Sequence, residues 1–119
     1  MIIHGKERNL MLTIGASIKI AKLCPQGDLS RVGELFQNNS LADMFDKVCD
    51  IIIALNEGYE MNRAFEVEDY KADVITKQEL LALNMMDIIQ MKDEILRSMS
   101  TDSAGSIETE SSKKKEPEE

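Results

Sequence analysis

Between Ser40 and Gly58 the chain reads SLADMFDKVCDIIIALNEG, and Leu41, Met44, Phe45, Val48, Ile51, Ile52 and Leu55 return at steps of three and four. That spacing places them on one face of an α-helix. Ser40 is positioned to accept a hydrogen bond from a free first-turn N–H, and Asp43 puts negative charge beside the positive end of the helix dipole. Gly58 is expected to close the helix in the left-handed conformation. Ile53 and Ala54 broaden the stripe beyond what a one-sided surface helix needs, so this helix is expected at the centre of the fold.

Ahead of it, Leu10, Leu12 and Ile14 alternate with Asn9, Met11 and Thr13, the period of a half-buried strand. With Gly5 as the turn residue, the pattern predicts a β-hairpin of residues 2–4 against 9–14, which must lie on helices because two strands alone are marginal. A short helix follows, capped by Ser17, with Ile18, Ala21 and Leu23 as its apolar face and Pro25 as its stop. Asp28 then caps a helix over LSRVGELFQ, in which Leu29, Val32, Leu35 and Phe36 share a face and Asn38 and Asn39 close the end.

Residues 58–75 hold Tyr59, Phe65, Val67 and Tyr70 among charges without a sustained period. A loop with a short helical turn is expected, its aromatics pinned to the body. Thr76 and Glu79 form a capping box for a final helix. Its row runs Leu81, Met85, Ile88, Lys92, Ile95 and Met99, flanked by Leu80, Asn84, Met91 and Arg97. As one helix from 77 to 99 it would span roughly 35 Å and project beyond the core. From Ser100 onward Ile107 is the only large apolar residue, so residues 100–119 are expected to be a disordered acidic tail.

The expected fold is therefore mainly α (α+β): a hairpin on a helical body over residues 1–99, a long C-terminal helix, and the tail. Composition agrees. The 119 residues include no Trp and only five Phe and Tyr, so the core rests on aliphatic residues and Met. Net charge is −8, and six acidic against three basic side chains put −3 of it in the tail and −5 on residues 1–99. An acidic surface repels phosphate, which excludes nucleic acid and anionic membranes as partners of the body. Neither a signal peptide nor a membrane span is expected. Cys24 and Cys49, without a CxxC pair, read as buried reduced thiols of a cytosolic protein.

No phosphate-binding, dinucleotide, zinc-protease or serine-hydrolase motif occurs. A lone His4 cannot supply base, orienter and nucleophile together. Asp43, Asp46 and Asp50 read as a solvated face. No enzyme activity, cofactor or metal is expected. The informative excess is methionine, at eight residues. Its pliable thioether suits surfaces that re-pack against different apolar partners. Met11, Met44 and Met91 read as core. Met61, Met85, Met86 and Met99 are the candidates for a protein-binding surface: Met85 and Met86 because neighbouring helical positions diverge by about 100°, Met61 because it falls in the irregular segment, and Met99 because it stands at the fraying end of the last helix.

The N-terminal arrangement Ile2-Ile3, Gly5-Lys6, then Leu10, Leu12 and Ile14, followed by IKIAKL, a helical body and a charged polar end, resembles the small tail assembly chaperones of long-tailed phages and prophages of Gram-positive hosts. The resemblance is carried mainly by the first 24 residues. It implies a non-enzymatic protein that coats apolar helical segments of a tape-measure protein in the host cytosol until tail-tube subunits polymerise. It further implies a longer frameshifted form that recruits the tail-tube protein, and Lys113-Lys114-Lys115 suits a slippery run of adenine codons, which mixed AAG codons would disprove. Self-association through the last helix is a further expectation.

Two other classes fit the same acidic helical sequence. One is an adaptor or regulator of the antitoxin or anti-repressor kind, distinguished by a toxin or repressor gene beside it rather than a tape-measure gene. The other is a phage connector subunit, which, unlike a chaperone, would remain in purified virions.

Overall fold

The computed structural model describes residues 1–37 and 40–101, with side chains through Arg97. Ser100 and Thr101, where the tail was expected to begin, belong to the last helix; the rest of the predicted tail lies outside the described residues, as do Asn38 and Asn39. The protein is mainly helical, with a small antiparallel hairpin at its N-terminus.

The central helix is the longest element and starts as predicted: the Ser40 hydroxyl accepts from the Asp43 N–H at 3.2 Å. It does not stop at Gly58. It runs Leu41–Glu66 and caps at Val67, with Arg63 in its last turn; here it is α2. Gly58 is buried mid-helix, where a Cβ would lie 2.6 Å from the Met11 carbonyl oxygen and 2.8 Å from Thr13 Oγ1. The glycine permits a close crossing of two chain segments rather than a helix end. The chain above it is tied down, the Met11 N–H donating to the Leu55 carbonyl at 3.0 Å.

That crossing also corrects the predicted hairpin. β1 (Ile2–Ile3) pairs with β2 (Lys6–Glu7), Ile2 facing Glu7 and Ile3 facing Lys6. His4 and Gly5 both have positive φ, 52° and 77°. Two left-handed residues close a two-residue turn, and the turn sets the register one step after it. Residues 9–13 therefore run over α2 without pairing with a strand, with Leu10 and Leu12 against the core.

Helix α1 is Ile14–Leu23, capped by Thr13 rather than Ser17: Thr13 Oγ1 accepts from the Ala16 N–H at 3.1 Å. Its buried residues are Ala16 and Ile20, while Ile18 is exposed and Ile14 is 82% exposed. Of the predicted face, Leu23 packs on the core, whereas Ile18 gives way to Ala16 and Ile20. Pro25 ends the helix as expected. After it, Leu29–Phe36 form two 3-10 turns that meet at Arg31, whose φ and ψ are not helical, and Asp28 caps the first by accepting from the Ser30 N–H. Leu29, Val32 and Leu35 all pack toward the core.

The predicted 35 Å helix is broken. Thr76 and Glu79 do form the capping box, opening α3 (Lys77–Leu81), but Ala82 leaves helical geometry. Asn84 then caps a second helix, its side-chain oxygen accepting from the Met86 N–H at 2.8 Å. α4 is Met85–Thr101. Asparagine competes for backbone N–H groups better than it continues a helix, so the stripe bends where it stands. The core is α2's inward face (Val48, Ile51, Ile52, Leu55) with Ile20 of α1, Ile3, Ile75, and Leu80, Ile88, Met91 and Ile95 of α3 and α4. Among the described residues no helix is long and apolar enough to cross a membrane.

Candidate protein-binding surface

Three of the four methionines proposed for binding are exposed: Met61, Met85 and Met86. Met61 does so from α2, not from the irregular segment expected for it. The Met99 side chain lies outside the described residues. The structure does not bring the three together. Met61 edges a cleft of about 370 Å³ between α1 and α2, and Met85 edges one of about 250 Å³ between α2, α3 and α4. Met86 lines neither.

The Met61 cleft is mixed in chemistry. Thr13, Asn62 and the Lys19–Glu57 ion pair share it with Met61 and Phe65. Phe65 was expected to be pinned to the body but is 87% exposed. Once α2 runs on to residue 66, Phe65 falls on its outer side.

The Met85 cleft is lined by apolar side chains alone. Leu41, Phe45 and Cys49 stand at four-residue steps on α2, one above the other. The break at residues 82–84 builds the opposite side. In one continuous helix Leu81 and Met85 would be successive members of a single row; the break turns α4 away from α3, so that they edge a gap instead. Leu41, Leu81 and Met85 are 58%, 62% and 54% exposed around a floor that includes buried Leu80 and Ile88. Sequence periodicity counted Leu41 and Leu81 as core, so it missed two of the three exposed edges.

Charge beside this cleft is organised by Lys77 at the start of α3, which hydrogen-bonds Asp46 and, at 3.2 Å, Asp50. The bond to Lys77 lowers the Asp46 pKa, and the same bond raises that of Lys77. The two aspartates are thus not merely a solvated face. Burial pushes the Cys49 thiol up against the pull of Lys77, and burial also raises Cys24. Both cysteines are buried free thiols, as their spacing suggested.

A buried polar network on the far half of α2 escaped sequence reasoning. Asn56 donates to the Asn9 carbonyl at 2.9 Å and accepts from the Ile75 N–H at 2.8 Å. Glu60 accepts from the Tyr70 hydroxyl at 2.7 Å and the Asp73 N–H at 3.0 Å. Arg8 donates to the Asp73 carbonyl at 2.6 Å and to Glu79 at 3.3 Å, and Lys6 pairs with Asp73. His4 Nε2–H donates to the Glu79 carbonyl at 2.8 Å. Together these groups strap both the N-terminal segment and residues 67–76 onto α2. A signal was present: Ile52, Asn56 and Glu60 continue one helical row past Gly58.

Glu60 and Asn56 are occupied by structural partners, so their chemistry is that of a clamp. Among the described residues no group of three or more His, Cys, Asp or Glu is placed to hold a metal ion. No family model, curated protein or solved structure matches this chain.

Proposed function

We propose that this protein is a phage tail assembly chaperone, a non-enzymatic binder that keeps apolar helical segments of a tape-measure protein in solution in the host cytosol. The observation that carries the reading is the apolar cleft at the α3–α4 break, where the large apolar side chains of Leu41, Leu81 and Met85 stand exposed among the described residues. Such contiguous apolar surface on an acidic, charged body is what a helix-in-groove contact uses. Weak contacts repeated along a client give avidity, and competition by polymerising tube subunits releases it. A longer frameshifted form would recruit those subunits.

Co-expression tests the proposal. An otherwise insoluble tape-measure protein is expected to become soluble with this chain, and replacing Met85, Met86 and Met99 together with Glu is expected to abolish rescue while far-UV circular dichroism stays unchanged. Rescue that persists in the triple variant removes this surface from the proposal. No rescue by the native chain removes the chaperone reading itself.

A further inference from the structure

We infer that the cleft at the α3–α4 break takes one class of occupant: an amphipathic helical segment whose apolar stripe is flanked by lysine or arginine. The inference rests on the binding role proposed above and specifies the chemistry of the partner. At about 250 Å³ the cleft is smaller than most small-molecule sites and suits an inserted aliphatic anchor. Every lining side chain is apolar, so no side chain there would orient a polar ligand. The charges around it select the flanks. Residues 41–50 and 77–88, which build the cleft, carry Asp43, Asp46, Asp50, Glu79 and Asp87 against Lys47 and Lys77. Lys77 pairs with Asp46 and Asp50, and Arg8 reaches Glu79 from the N-terminal segment, so five acids face three cations, Lys47, Lys77 and Arg8. The mouth is therefore negative, on a chain of net charge −8. A second copy would bring like charge to like charge, whereas a basic-flanked helix gains from the field.

The floor of the cleft contains its own reporter. Cys49 lines it, while Cys24, the other thiol, does not. The test uses a labelled peptide of about 14 residues with leucines at i, i+3, i+4 and i+7 spacing and lysines elsewhere, and a twin with glutamates in place of the lysines. The lysine peptide is expected to bind the full chain about tenfold more tightly by fluorescence anisotropy, with the gap narrowing in high salt. Its binding is expected to slow alkylation of Cys49, mapped by mass spectrometry, and to leave Cys24 unchanged. The double variant Leu81→Ser/Met85→Ser, at exposed positions, is expected to weaken binding by about tenfold, whereas Met61→Ser/Phe65→Ser keeps it. Equal affinity for the two peptides overturns the inference, as does equal slowing of both thiols. So does a homodimer, seen by sedimentation, that Leu81→Ser/Met85→Ser dissociates. Client rescue that survives while the lysine preference fails leaves the chaperone proposal standing without this specificity; lost rescue with intact peptide binding does the reverse.

Discussion

The side-chain oxygen of Asn56, in the middle of α2, accepts the backbone N–H of Ile75 at 2.8 Å. Its amide nitrogen meanwhile holds the Asn9 carbonyl at 2.9 Å. One fully buried side chain thus satisfies backbone groups from two segments that have no regular partner of their own. Residues 9–13 and 67–76 stay ordered because α2 supplies what a sheet would otherwise provide.

Replacing Asn56 with Ala leaves the buried Ile75 N–H without a partner and frees the carbonyl of Asn9, an exposed residue, to water. An unpaired buried donor costs about 1–3 kcal/mol, so a loss of roughly 1–3 kcal/mol is expected. Urea unfolding of the variant measures it directly. A loss below about 1 kcal/mol would mean that water takes over both bonds.

Gly58→Ala tests the crossing. Helix propensity alone would favour alanine by about 1 kcal/mol. The added carbon, however, would lie 2.6 Å from the Met11 carbonyl oxygen, a backbone atom that can yield only if the strap lifts. Net destabilisation of about 1–3 kcal/mol is expected, together with faster hydrogen exchange at the Met11 amide. Gly33→Ala is the control, because a Cβ there meets nothing within 4 Å. A Gly58→Ala protein as stable as the native one would show that the crossing is loose.

Acid should loosen the same straps. The Lys6 hydrogen bond, and then the Arg8 charge, hold the Asp73 carboxyl below its ordinary pKa; for Glu79 the Thr76 backbone N–H does most of the lowering. A carboxyl depressed in the folded state contributes stability that is present above its unfolded value, about 4. That contribution is lost as pH falls through the folded value. Stability is therefore expected to hold from neutral pH to about pH 5 and to decline below about pH 4. Asp73→Asn cannot take up the proton, so it should be weaker at neutral pH and show a shallower acid slope. Urea midpoints across this range decide it, and parallel slopes for the two proteins would refute the assignment to Asp73.

The candidate surface was half legible in the chain. Met85 and Met86 stood out because adjacent helical positions cannot share one buried face. Leu41 and Leu81 did not, since their spacing is that of core residues; only the position of the neighbouring helices shows them exposed among the described residues. Cys49 at the cleft floor was likewise just a buried thiol until α3 and α4 were placed.

Local chemistry by itself determined the starts and stops whose energetics are complete within a few residues: Ser40 over Asp43, Asp28 over Ser30, the Thr76–Glu79 box, and the halt at Pro25. It also determined the helical class, through the aliphatic period of α2. Tertiary structure decided what a residue does when two local roles compete. Gly58 became a crossing point instead of a helix end, and Leu10 and Leu12 packed on a helix instead of in a strand. In each case the local free-energy difference is about 1 kcal/mol, and burial against a distant segment outweighs it.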